Sequence, residues 1–587
     1  MNDELEKLKG DHKLPLSVIL KRTLTYIKPE MTQFMAAIFL VALNVTLDVI
    51  SPLFTSKITD ELLNVNINLK LVIVLSVSML VVTMINQLFF YIESMILQKC
   101  GQRIIYRLRM EVFEHIERMS INQFNEMAVG SLVTRVSSYT ASMSDLFTSV
   151  FVRVLRNVAT IAGVYGIMIY ISPSLSMILF GVVVLVFVIS FYFSKVIREV
   201  FRKERALISD LNTFLSENLA GIKLTQIFNQ QETKDQEFCE KNDNLFNQRY
   251  KIELAFGIYR PVISFIYTAS IALSFMFGLK YGLTAGEIVA FYLYLSRFFQ
   301  PIQNLADQLN QIQKAFTASE RLFNLLDVEP DVLDAEDAIE IDKFEGRIEF
   351  KNVWFAYKDD NWILKDVSFV IEPKQTCAFV GATGAGKTTI LSLIVRNFEI
   401  QKGEILIDGI NINKIKIESL RRAIGQMLQD VFLFSGSIKS NVTLHDERFS
   451  DEEVMEACHY VNADSFINKL PKGIHEEIIE KGENLSQGQR QLLSFARTVI
   501  HKPQVLILDE ATANIDTETE VLIQQSLEKM KSIGTMLVVA HRLSTIQHAD
   551  NIIVLQNGEI VEQGNHQQLL KNKGYYYKLY QLQFENN

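Results

Sequence analysis

A chain of 587 residues exceeds one ordinary domain, and a hydrophobic share of 49% is high for a soluble protein of that length, so a membrane-embedded portion is expected. The formal charge of −9 carries no basic surplus and argues against nucleic acid as a partner. Cys100, Cys239, Cys377 and Cys458 stand far apart, without the CxxC spacing of a metal site, and read as reduced thiols facing the cytosol.

Residues 1–13 are charged and polar and do not form a basic segment leading into a short apolar core. No cleavable signal peptide is expected, so insertion relies on later spans. Six apolar stretches long enough for a bilayer follow, at 34–54, 69–95, 147–171, 175–193, 254–279 and 288–305. The long connections 97–145 and 194–253 read as helical. They are rich in cations, among them Lys99, Arg103, Arg107, Arg109, Lys195, Arg198, Arg202, Lys203 and Arg205, which places them in the cytoplasm. The short connections 55–68, 172–174 and 280–287 then face outward, and both termini are cytoplasmic. The helical patterns overrun the bilayer, with turns expected at 120–127, before Gly130, and at 218–224, around Gly221.

Asn44, Asp48, Asn86, Gln87, Glu93, Arg153, Arg156, Asn157 and Arg260 lie in or beside spans, where polar groups face a bundle interior or a wet cavity. Asp48 and Glu93 are the candidate substrate-facing residues. Asp48 lies well inside its span, whereas Glu93, Arg153 and Arg156 fall near an interface.

The acidic segment 327–342 lacks apolar periodicity and places a boundary near residue 335, dividing a transmembrane domain, 1–335, from a second domain, 336–587. The expected fold is a six-helix all-α transmembrane domain with long cytoplasmic extensions, followed by an α/β domain that the motifs at 381–388 and 505–510 make a P-loop nucleotide-binding domain. In the second domain, 348–357 reads as a strand ending in Tyr357, an aromatic able to stack on adenine. Gly381-Ala382-Thr383-Gly384-Ala385-Gly386-Lys387-Thr388 follows an apolar strand and opens a helix, which is the context of a phosphate-binding loop. Its amides converge on a polyphosphate, Lys387 reaches the β- and γ-phosphates, and Thr388 is placed to ligand Mg²⁺. Val505-Leu506-Ile507-Leu508-Asp509-Glu510 is a buried strand ending in two carboxylates, Asp509 for the Mg²⁺ shell and Glu510 for the attacking water. Ser486 and Gln489 form a capping-box pattern at the start of a helix over 489–499.

These motifs resemble the ATP-binding cassette family over nearly the whole chain. In order they are Tyr357, the phosphate loop, Gln429, Leu485-Ser486-Gln487-Gly488-Gln489, Asp509-Glu510, Asn514-Ile515-Asp516 and His541. Six spans before one cassette resemble a half-size exporter, which dimerises to form two composite ATP sites. The resemblance implies ATP and Mg²⁺ as ligands, with contacts from Tyr357, residues 381–388, Thr389 and Asp516, and from Ser486, Gly488 and Gln489 across the dimer. It assigns Thr388, Gln429 and Asp509 to Mg²⁺, and Glu510, His541 and Gln429 to catalysis. The cytoplasmic turns match its coupling helices through Phe124, Gly130, Leu132 and Arg135 in the first and Glu217, Gly221 and Phe228 at the second.

Gln487 departs from the glycine usual in that signature. A side chain beside a phosphate alters the site that the loop completes on its partner, which favours a heterodimer over a homodimer. The implied function is ATP-driven, multidrug-type export of hydrophobic or amphipathic compounds across a bacterial cell membrane. A lipid or lipid-linked precursor flippase is the alternative transporter, and an ATP-gated channel or membrane regulator the alternative of another class.

Overall fold

Few helix breakers interrupt the first half of the chain, and it folds as long helices. The computed structural model describes residues 13–303, 305–358, 361–427, 431–509, 517–539 and 546–582. They separate into two units, one built from Met1–Glu117 and Met127–Val328, the other from Arg118–Glu126 and Glu329–Asn587.

In the first unit the helices are α1 (Leu16–Ile27), α2 (Met31–Leu63), α3 (Leu69–Arg118), α4 (Ile121–Asn125, assigned to the other unit), α5 (Val129–Ile171), α6 (Pro173–Ala220), α7 (Ile222–Ile227), α8 (Gln231–Lys280), α9 (Ala285–Gln303) and α10 (Leu305–Leu326). A 50-residue helix such as α3 or α8 is about 75 Å long, against a hydrocarbon core of about 30 Å, so it projects well beyond a bilayer. Both expected turns are present: α4 begins one residue after Ser120, and α6 ends against Gly221.

Five helical stretches, Leu16–Leu63, Leu69–Arg118, Val129–Ile171, Pro173–Ala220 and Gln231–Lys280, are long and apolar enough to cross a membrane. The sixth expected span is helical as α9, but among the described residues it does not meet the same measure of length and composition. The reason is packing. Phe291, Tyr294, Leu295, Phe298 and Phe299 of α9 are buried in the protein core, so its remaining positions need not be apolar. The Tyr294 hydroxyl donates to the Val49 carbonyl of α2 at 2.7 Å.

Close approach also joins α3 to α5. Ser144 Oγ donates to the Gly101 carbonyl at 3.0 Å, and a Cβ on Gly101 would lie 3.0 Å from Thr148. A polar cross-link ties α3 to the corner between α1 and α2. Glu30, buried at the α1–α2 corner, accepts from Arg103 at 2.9 Å and Arg107 at 2.7 Å, two cations one turn apart on α3.

The second unit begins with β1 (Ile348–Ala356), β2 (Trp362–Ile371) and β3 (Thr376–Gly381), followed by β4 (Lys402–Ile407), β5 (Ile410–Asn411) and β6 (Ile424–Met427). After β7 (Gly436–Ser437) and β8 (Glu477–Ile478) come β9 (Val505–Asp509), β10 (Thr535–Val539), β11 (Asn551–Gln556) and β12 (Glu559–Gly564). A four-stranded sheet runs β2-β1-β4-β5 and a six-stranded one runs β12-β11-β3-β10-β9-β6, in which only the β11–β12 pairing is antiparallel.

The inner strands are apolar runs because both faces of the sheet are covered. Their period-two alternation divides them between two cores. Cys377, Phe379, Ile507, Leu537 and Val539 join Ile390 and Phe350 on one face. Ala378, Val380, Leu508, Val538 and Val554 join Leu492 and Phe495 on the other.

Candidate nucleotide site

Parallel strands deliver their carboxyl ends to one edge of a sheet, and loops there form ligand sites. Phe379, Val539 and Asp509 stand level across β3, β10 and β9, and Met427 of β6 pairs with Leu508. The phosphate loop and Asp509 therefore share an edge, although some 120 residues of chain separate them. Glu510, His541, Gln429 and Asp516 lie outside the described residues. The strands that precede Glu510, His541 and Gln429 end at that same edge, at Asp509, Val539 and Met427.

From β3 the chain turns through Gly384 (φ +82°) and Gly386 (φ +103°) into α11 (Lys387–Ile394). Both glycines occupy the left-handed region that side chains resist. At Gly386 a Cβ would also lie 2.6 Å from buried Leu364. Gly386→Ala is expected to cost about 2 kcal/mol of stability from backbone strain alone and to weaken ATP binding. Thermal unfolding and nucleotide titration of the purified variant check this.

Lys387 is 7% exposed, and its Nζ donates to the Gly381 and Ala382 carbonyls at 2.8 and 3.0 Å. Burial pushes its pKa down, and the nearby Asp509 charge opposes that shift. Among the described residues no side chain caps α11, so its leading amides remain donors at the positive end of the helix. A buried amine beside an uncapped helix start fits a polyphosphate. The Thr388 side chain is exposed and Thr389 is buried; Thr389 Oγ1 shares a hydrogen bond of 3.1 Å with the Tyr357 hydroxyl. The Tyr357 ring meets Phe355 and Phe398 edge-on at 4.9 and 5.1 Å and is 43% exposed, which leaves it able to stack on a planar base.

The Ser486 capping box is present: Ser486 Oγ accepts from the Gln489 amide at 3.2 Å, and Gln489 Oε1 accepts from the Ser486 amide at 2.9 Å. The helix it opens, α12 (Gln487–Ile500), begins two residues before the expected start, because the residue after a capping serine is already helical. Gly488 is buried, whereas Ser486 and Gln487 are exposed. Gln487 is the first helical residue and has no positive φ, so glycine's conformational freedom is not required there.

The first turn carries an interaction that sequence reasoning missed. Ser120 caps α4 in a capping box with Gln123. Gln123, 3% exposed, also donates through Nε2 to the Glu329 carbonyl at 2.7 Å and to Asp331 Oδ1 at 2.8 Å, while Ser120 Oγ donates to Asp331 Oδ2 at 3.2 Å. Beside this clamp lies a cavity of about 160 Å³ whose lining includes Ser120, Asp331, Tyr357 and Phe398. The S-x-x-Q pattern at 120–123 was the available signal. Gln123→Ala is expected to loosen 118–126 by about 1.5 kcal/mol, seen as roughly tenfold faster amide exchange in that segment.

The two membrane candidates differ in setting. Asp48 on α2 is partly exposed and lies 3.3 Å from Arg297 of α9. Glu93 on α3 is 1% exposed and forms an ion pair with Arg156 of α5, whose guanidinium also lies over the Phe90 ring.

Comparison with known proteins agrees with this architecture. Residues 34–302 match the family model described as the ABC transporter transmembrane region, and residues 364–513 the one described as ABC transporter. The chain is 39% identical over 503 residues to the "Probable multidrug resistance ABC transporter ATP-binding/permease protein YheH" of Bacillus subtilis, covering 84% of this chain and 74% of that one. It is 33% identical to the "ATP-dependent lipid A-core flippase" of Syntrophus aciditrophicus, covering 85% and 83%. Among solved structures, an ATP-bound bacterial Atm1-family ABC exporter superposes with a TM-score of 0.78 at 25% identity, over 94% of this chain and 98% of that one.

Proposed function

Since the chain belongs to the ATP-binding cassette transporter family and is an ATPase-coupled exporter that dimerises in a bacterial membrane, we propose that it exports hydrophobic or amphipathic compounds of the multidrug type. The ATPase reading rests on one observation: Lys387, buried in an uncapped phosphate loop, shares a sheet edge with Asp509. In this reading Lys387 and the leading amides of α11 hold the β- and γ-phosphates, and Tyr357 stacks on adenine. Thr388, Asp509 and Gln429 hold Mg²⁺, which supplies charge neutralisation at the phosphates. Glu510 accepts the proton of the attacking water and His541 contacts the γ-phosphate. Asp516 also contacts the nucleotide, and Ser486, Gly488 and Gln489 at the start of α12 complete the partner's site, where α12's dipole favours an anion.

Closure of two cassettes around ATP draws the turns at α4 and α7 together, and the long helices carry that motion to the membrane. Asp48 is the residue we place on the cargo path, because it is partly exposed at membrane depth. Glu93 takes part through its pairing with Arg156. Both termini and the nucleotide-binding unit are cytoplasmic on the cation count of the long connections. The partner is a second half-transporter, favoured as a different chain because Gln487 places an exposed side chain at the start of α12.

ATPase activity in membranes, measured alone and with each adjacent-gene half-transporter across drugs and lipids, tests these readings. Drug-stimulated activity that needs a partner supports a heterodimeric multidrug exporter. Full activity alone identifies a homodimer, and stimulation by lipids only favours flippase activity, as the name of the Syntrophus relative suggests.

A further inference from the structure

A groove of about 450 Å³ runs between α2 and α3. Ala36, Tyr91, Ile92, Met95 and Ile96 form its apolar walls, and Gln33, Lys99 and Arg103 line its remainder. Along α3, Tyr91, Met95 and Lys99 recur every four residues and therefore lie on one stripe. From Tyr91 to Lys99 that stripe runs about 12 Å, within the roughly 15 Å that one leaflet contributes to the hydrocarbon core. An apolar wall thus gives way to cations over the distance from acyl chain to headgroup.

The charge at the polar end is unbalanced. Lys99 has no ion-pair partner among the described residues, and Arg103 shares the single carboxylate of Glu30 with Arg107 while remaining half-exposed. Three cations therefore face one anion. Zwitterionic headgroups bring no net charge to offset this surplus; an anionic headgroup does, and basic pockets between membrane helices are suited to it.

We propose that this groove binds one anionic phospholipid of the cytoplasmic leaflet, its phosphate at Lys99 and Arg103 and an acyl chain along Ile92, Met95 and Ile96. The site is separate from the nucleotide loop and from Asp48, and the lipid is a resident ligand with no part in the ATP chemistry. The leaflet follows from the orientation proposed above; the binding does not.

The test is native mass spectrometry of the purified dimer from nanodiscs containing equal phosphatidylglycerol and phosphatidylcholine, combined with labelling by a diazirine-tailed phosphatidylglycerol. The expected result is preferential retention of phosphatidylglycerol and labelling within 91–96. Lys99→Gln should reduce retention about fivefold, the value of one cation near a charged headgroup, and Ala36→Trp should abolish labelling by filling the groove. Lys99 is exposed, so its variant is expected to fold. Equal retention of the two lipids, or retention unchanged in Lys99→Gln, overturns the proposal. So does displacement of the lipid by millimolar inorganic phosphate, or crosslinking of Met95→Cys to a partner helix in place of lipid labelling.

Discussion

In the Glu510→Gln variant, ATP binding is expected to survive while steady-state hydrolysis falls by about 10²–10⁴-fold, the usual contribution of a positioned general base. The residue follows Asp509 directly, at the end of a strand buried on both faces, and Asp509 stands level with Val539 and hence with the strand that opens into the phosphate loop. In the proposed reading Glu510 acts on the attacking water and is not among the groups that hold the phosphates, so an amide there removes a proton acceptor and leaves the binding groups in place. The ATP-bound dimer should therefore accumulate. Single-turnover hydrolysis with parallel measurement of trapped nucleotide reads both halves of the expectation. Turnover at the parent rate would refute the assignment of the base. Loss of binding as well would mean that Glu510 holds the nucleotide or its metal and does not merely act on water.

Arg156→Ala is expected to destabilise the membrane unit by about 3 kcal/mol, the lower end of the cost of breaking a buried ion pair. That end applies because the Arg156 side chain is 29% exposed, whereas its partner Glu93 is 1% exposed and would lose its counter-charge. The guanidinium also covers Phe90, so some apolar packing is lost with the charge. Thermal inactivation in detergent, compared among Arg156→Ala, Glu93→Gln and the double Glu93→Gln/Arg156→Gln, isolates the pair. If the charge interaction is what matters, the double variant recovers most of the loss, because two neutral amides bury more cheaply than one unpaired ion. Equal damage in all three would assign the effect to packing.

Much of the membrane unit was legible because bilayer spans announce themselves by length and composition. The expected segments at 34–54, 69–95, 147–171, 175–193 and 254–279 each fall within a helix of the structure. The segment at 288–305 was harder: Glu287 and Arg297 lower the mean hydropathy of α9, and only its contacts with α2 and α8 show why such a helix belongs in the core. Short apolar runs likewise foretold β1, β3 and β9 of the cassette, but not that Cys377 and Ala378 belong to different cores.

The phosphate loop, the paired acids and the capping box are contiguous, and each carries its chemistry in its own spacing, since a turn, a helix start or a strand end is settled within a few residues. That is why the sequence by itself determined that this protein binds a nucleotide, and named Lys387, Asp509 and Ser486. Partnerships between distant segments are a different matter. Glu93 with Arg156, Asp48 with Arg297, and Gln123 with Asp331 join residues separated by 63, 249 and 208 positions. Only the tertiary structure decided these, because a side chain's sequence records its need for a counter-charge or a hydrogen bond but not which of many chemically equivalent groups the packing of helices brings within reach.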